Sequence, residues 1–141
     1  MKTKLVSNED FIELSKLITE ISYRIDNLKA STLYELCTHD VEFNIGSDPI
    51  KGADAIQQWG VSFDKSAQFN GIRHMCTNCR FVQVNDNEAS GITLLAAYYS
   101  DNVDRPKTNP FAIGEDHDTF IKTENGWKLK SRLWVPLMMR Q

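Results

Sequence analysis

Cysteine is scarce. The 141 residues include three, an odd and small set that cannot staple a disulfide scaffold and that suits a reducing, cytoplasmic setting. Clustered positive charge is missing too. The 16 Lys and Arg are scattered among 19 Asp and Glu for a net charge of −3, so no basic face for a phosphate backbone is expected and nucleic acid is not an expected partner. No apolar run approaches the roughly 20 residues of a membrane span. The opening MKTKLVSNED carries two lysines but no apolar stretch behind them, so no secretory signal is expected. Internal repeats, low-complexity segments and linkers are also lacking, and the length fits one domain over residues 1–141.

What is present has a clear order. Phe11, Leu14, Ile18, Ile21, Ile25 and Leu28 alternate in steps of three and four, which predicts a helix with one buried stripe. Ser7 or Asn8 is its expected N-cap, and acids follow in the first turn. A short helix over STLYELC, starting from Ser31 or Thr32, comes next. The segments VEFNIG and PIKG read as short strands, and ADAIQQWGVSFDK as a third helix. From Ile72 the texture changes to strands: IRHMCTNCRFVQV, ASGITLLAAYYS, FAIGEDHDTFIKT and GWKLKSRLWVPLMM. The last two meet at Asn125-Gly126, where both residues tolerate positive φ. Helices first and long antiparallel strands afterwards predict an α+β fold with helices on one face of a curved sheet.

The stretch GIRHMCTNCRF joins a histidine to a CxxC pair. Structural zinc needs four ligands, and no second CxxC or matched His pair accompanies this one. A thioredoxin-like pair belongs at a helix start, whereas this pair lies in a strand. Residues three apart in a regular strand point to opposite faces, so Cys76 and Cys79 are expected to diverge. No metal is expected. The same alternation groups Ile72, His74 and Cys76 on one face. Asp26 lies about 100° round the first helix from Ile25, at the edge of the buried stripe. A carboxylate there is costly unless paired; the alternative is a solvated helix-end Asp.

The first-helix ending SYRIDNLKASTLYELCTHDVEF, then KGADAIQQW, RHMCTN, ASGITLLAAYYS and DTFIKTENGWKLKSR together resemble the SnoaL-like branch of the nuclear-transport-factor-2-like superfamily. The resemblance runs along nearly the whole chain. It implies a cone-shaped, mostly antiparallel curved sheet, barrel-like, wrapped around a long N-terminal helix, with two further helices and an internal pocket. Within the superfamily the chain looks most like scytalone dehydratases and lindane dehydrochlorinases, whose chemistry rests on a His–Asp pair. Asp26 and His74 fall where those enzymes carry it. Tyr99 falls where the dehydratases carry a further histidine, a departure that bears on dehydratase chemistry.

The resemblance thus implies a cofactor-free enzyme of the lyase or isomerase kind. It would perform elimination, isomerisation or cyclisation on a small cyclic or aromatic compound. An imidazole can take a proton near neutrality and return it, and an Asp on its other nitrogen fixes the tautomer and steadies the cation. Tyr99, Tyr23, Asn78 and His117 are the candidate polar contacts, each also readable as an ordinary packing or surface residue. Trp59, Phe43, Phe63 and Trp134 would supply the apolar walls. The alternative is a protein that binds a small molecule without turning it over, or a small subunit supporting a ring-hydroxylating oxygenase. A homodimer or homotrimer is expected, because the outer sheet face would otherwise stay bare. The polar loop 101–110 is expected to be a surface connection or a lid over the pocket.

Overall fold

The structure is a computed structural model describing residues 2–66, 71–99 and 109–140. Helix α1 spans Asn8–Asp26, and the Ser7 hydroxyl caps it by accepting the Asp10 N–H at 3.1 Å. Its buried stripe is Leu14, Leu17, Ile18 and Ile21. The two ends of the predicted stripe do not sink into the core. Phe11 is exposed, although one edge of its ring meets Phe81, and Leu28 lies beyond the helix with φ of 58°.

The second helix is a 3-10 helix, Ala30–Leu36, and neither Ser31 nor Thr32 caps it. Its first N–H groups are satisfied from elsewhere in the chain. The Asp64 carboxylate, at the end of α2 (Ala53–Asp64), accepts from Ala30 at 2.9 Å and Ser31 at 3.0 Å. The two elements touch backbone to backbone at Gly60, where a Cβ would lie 2.1 Å from the Ala30 carbonyl oxygen.

Six strands follow the predicted order: β1 (Cys37–Asn44), β2 (Ile50–Lys51), β3 (Arg73–Asn85), β4 (Glu88–Tyr98), β5 (Ala112–Thr123) and β6 (Gly126–Met139). They form one sheet in the order β2-β1-β6-β5-β4-β3. All neighbours are antiparallel except β1 and β6, which run parallel. Helix α1 packs on both β3 and β6, which stand three places apart in the sheet, so the sheet curves around it. The sheet stays open, with β2 and β3 as its two edges, so it curves without closing into a barrel. Residues 4–6 lie along part of the β3 edge through a bridge from Leu5 to Val82. At the last hairpin the turn residues are Glu124 and Asn125, and only Gly126 takes positive φ. The geometry is that of a tight turn followed by a glycine in the left-handed region.

The core fills the hollow between sheet and α1. Phe81 and Phe120 meet edge to face at 5.8 Å, and Leu14, Ile21, Leu33, Ile56 and Leu129 close around them, all fully buried. Each such side chain contributes about 1.5–3 kcal/mol by leaving water.

Two irregularities in the ladders decide which residues face this hollow. The register of β3 against β4 slips between Thr77 and Arg80, where Asn78 takes φ of 51°. The extra residue restores the inward phase three steps after Cys76, so Cys76 and Cys79 both pack against the core. This corrects the expectation that they diverge. The register of β6 against β5 slips near Lys130, and Trp127 and Leu129 before it share the inner face with Arg132 after it. All three cysteines are free thiols.

Candidate active site

Asp26 closes α1 and reaches the start of β3. Its Oδ2 accepts the backbone N–H of His74 at 2.8 Å, and its Oδ1 lies 2.5 Å from His74 Nδ1. Arg73 locks the same junction from outside, donating to the carbonyls of Asp26 and Ile72 at 2.7 Å each. The carboxylate is therefore held at two points, by main chain and by imidazole. A carboxylate only accepts, so the proton between the two groups belongs on Nδ1, and Nε2 of the neutral ring carries the free lone pair. The contact expected between these two residues is present, with the Asp26 side chain 9% and the His74 side chain 18% exposed.

His74 faces a cavity of about 190 Å³. Ser22 and Ile25 of α1 form one wall, Phe43 and Trp59 another, and Leu95, Ala97 and Trp134 the sheet side. The aromatic wall is continuous, with Phe43 and Trp59 at 6.1 Å and Trp59 and Phe63 at 5.2 Å. Trp134 reaches into place because β5 carries Gly114, where a Cβ would lie 2.6 Å from the indole. Trp59, Phe43, Phe63 and Trp134 thus line the cavity.

The remaining polar candidates lie elsewhere. Tyr23 is on the exposed side of α1, about 100° from Ser22, with the Lys29 ammonium 5.3 Å over its ring. Asn78 is the exposed residue of the β3 bulge, its amide turned to Thr77. His117 is on the outer face of β5, where its Nε2 meets Glu115 at 3.3 Å between the exposed Ile92 and Leu133. Strand alternation puts one of His117 and Asp116 outside, and the structure puts His117 there. The Tyr99 ring packs on Phe111 at 4.8 Å; Phe111 lines the cavity and Tyr99 does not. Most of loop 101–110 lies outside the described residues, so its reading as lid or connection stays an expectation.

Sequence reasoning missed a buried group of charges. Arg132 donates to Asp118 through Nε at 2.8 Å and Nη2 at 2.9 Å, and its Nη1 lies 3.4 Å from Asp116 Oδ2. Asp116 and Arg132 line the cavity; Asp118 lies behind them. Burial works against the charge of Arg132, yet the two acids push its pKa further up, so it remains a cation. Burial pushes the Asp116 carboxyl above the usual range; Arg132 opposes that, Asp118 adds to it, and His74 and His117 oppose it. The acids could have been found from their phase with Phe120 on β5. Arg132 had no such signal, because it shares the inner face with Leu129 only through the bulge between them. Among the described residues no cluster of His, Cys, Asp and Glu is placed to hold a metal, and no helix is long and apolar enough to cross a membrane.

A curved α+β sheet wrapped on a long helix over an internal cavity defines the class by fold, and comparison of the sequence identifies the family. The SnoaL-like domain profile matches residues 8–133, and the chain belongs to that family. Among solved structures, a candidate scytalone dehydratase from Novosphingobium aromaticivorans is 22% identical, with a TM-score of 0.80 over 94% of this chain and 87% of that one. The protein Aln2 from a Streptomyces species has the same TM-score at 17% identity, covering 94% of each chain. A protein from Catenulispora acidiphila, solved in complex with S-DNPA, is 19% identical with a TM-score of 0.73, covering 92% of this chain and 95% of that one. These likenesses establish the fold. No functionally curated protein matches the sequence.

Proposed function

We propose that the protein is an enzyme that moves a proton on a small cyclic or aromatic compound, without a cofactor, in an elimination, isomerisation or cyclisation. His74 is the general base and Asp26 its positioning partner. The observation that carries this reading is the two-point clamp on Asp26, which leaves Nε2 of a cavity-lining imidazole to meet a ligand. The SnoaL-like family and the candidate scytalone dehydratase among its structural neighbours support it. A void of about 150 Å³ already accepts benzene, so 190 Å³ suits one ring or a compact pair of fused rings.

The test is deuterium incorporation from heavy water into a panel of cyclic ketones and hydroxyketones that bind the cavity, followed by NMR. His74→Gln should abolish the enzymatic exchange. Asp26→Asn should slow it by about 10²–10⁴-fold, because the amide can hold the wrong tautomer. Exchange that survives in His74→Gln at the wild-type rate refutes the assignment. A second reading is a protein that only binds its ligand, which the S-DNPA complex of a structural neighbour favours. Ligands that bind tightly and never exchange would support it.

The protein also works, in this proposal, as a cytoplasmic homodimer or homotrimer. Ile92, Leu133, Leu137 and Met138 leave an apolar strip exposed on β4 and β6, more than a lone sheet face comfortably presents to water. Light scattering that gives a monomer mass at micromolar concentration refutes this part.

A further inference from the structure

We infer that Asp116 is a second catalytic residue of the cavity, a carboxylic acid that donates its proton to an oxygen of the substrate. The inference rests on the function proposed above and narrows it. Two carboxylates share one guanidinium here, and they do not share it equally. Asp118 takes both of the short bonds, at 2.8 and 2.9 Å, and Asp116 keeps one looser contact at 3.4 Å. No other Lys or Arg lines the cavity among the described residues, and its walls are mainly apolar. In such surroundings a surplus buried carboxylate lowers its free energy by holding a proton. The charged groups around Asp116 are Arg132 on β6, Asp118 on its own strand, His74 on β3 and His117 on the outer face. Burial is the largest influence, and the sum of these groups leaves the Asp116 pKa raised.

The field of His74 couples the two proton carriers. A positive His74 makes Asp116 a stronger acid, so a proton arriving on one favours release from the other. In an elimination, Nε2 of His74 takes the proton from carbon, and that C–H pair becomes the new π bond. The C–O bond breaks with its pair on oxygen, and Asp116 gives that oxygen its proton, so water leaves. The proton on His74 then returns to Asp116 through solvent, which restores both groups. In an enolisation the same donor protonates a carbonyl oxygen instead. An acid that delivers a proton suits a departing hydroxyl or a carbonyl oxygen, whereas a halide leaves without one, so hydroxyl or carbonyl substrates are favoured over halides.

The experiment follows the carboxyls of the whole, ligand-free protein by infrared spectroscopy and carboxyl-carbon NMR as pH is varied, with Asp116→Asn identifying the signal. A neutral carboxyl that persists above the pH range in which the exposed carboxylates ionise, and that is lost in Asp116→Asn, supports the inference. Asp118→Asn supplies an independent reading, because it leaves Arg132 to Asp116 alone and should ionise it at lower pH. Asp116→Asn should also lower kcat by about 10²-fold or more with KM little changed. An Asp116 signal that titrates with the exposed carboxylates overturns the inference, as does full turnover in Asp116→Asn. These titrations need no substrate. They stand whether or not His74 proves to be the base, so the two proposals fail separately.

Discussion

Replacing Arg132 by methionine tests how the buried charges are held. Methionine resembles the arginine stem in size but removes the cation, and with it two short bonds to Asp118 and the contact to Asp116. All three residues are buried, so bulk water replaces little of what is lost. Removing one member of such a group typically costs about 3–5 kcal/mol, because its partners lose their hydrogen bonds and counter-charge. The penalty must also depend on pH. Burial already raises the folded-state pKa of Asp116 and the guanidinium opposes that, so without Arg132 it rises further above its unfolded value. The folded protein then binds more protons than the unfolded chain, and its stability falls as pH rises. Acidification should therefore return stability to the variant relative to wild type, by up to about 1.4 kcal/mol per pH unit as the Asp116 carboxyl titrates. Urea denaturation followed by tryptophan fluorescence at about pH 7 and about pH 5 measures both effects. A loss below about 1 kcal/mol, or a penalty equal at the two pH values, refutes the reasoning.

Two further outcomes follow from the packing. Gly60→Ala would place a methyl 2.1 Å from the Ala30 carbonyl oxygen, so α2 must move off the 3-10 helix; thermal denaturation should show a loss of about 1–3 kcal/mol or more. Cys37 donates to the Leu33 carbonyl, and burial pushes its thiol up to about 12, against Arg132 and Lys128. Alkylation of the native protein at about pH 8 should therefore spare Cys37, since the thiolate is the nucleophile, and peptide mapping should find it modified only after unfolding.

The sequence by itself determined the elements and their order, because each carries a local signal. The 3.6-residue stripe marks α1, and alternating residues mark the four long strands. It also set Asp26 at the edge of a stripe and His74 early in a strand, both before any irregularity, and the family resemblance supplied the expectation that the two meet. Elsewhere the local signal was ambiguous. On β5 both faces of GEDHDTF carry ionisable groups, so alternation separates His117 from Asp116 but does not say which is inside. Packing in the shared core decided it, by burying the Phe120 face. The bulges at Asn78 and near Lys130 each add one residue to one strand, and one residue reverses every later side chain. That reversal turned Cys79 inward beside Cys76 and brought Arg132 to the two acids. A bulge arises from how two strands fit over a curved core, which no short stretch of either strand records. The buried charges of this cavity are for that reason a property of the tertiary structure alone.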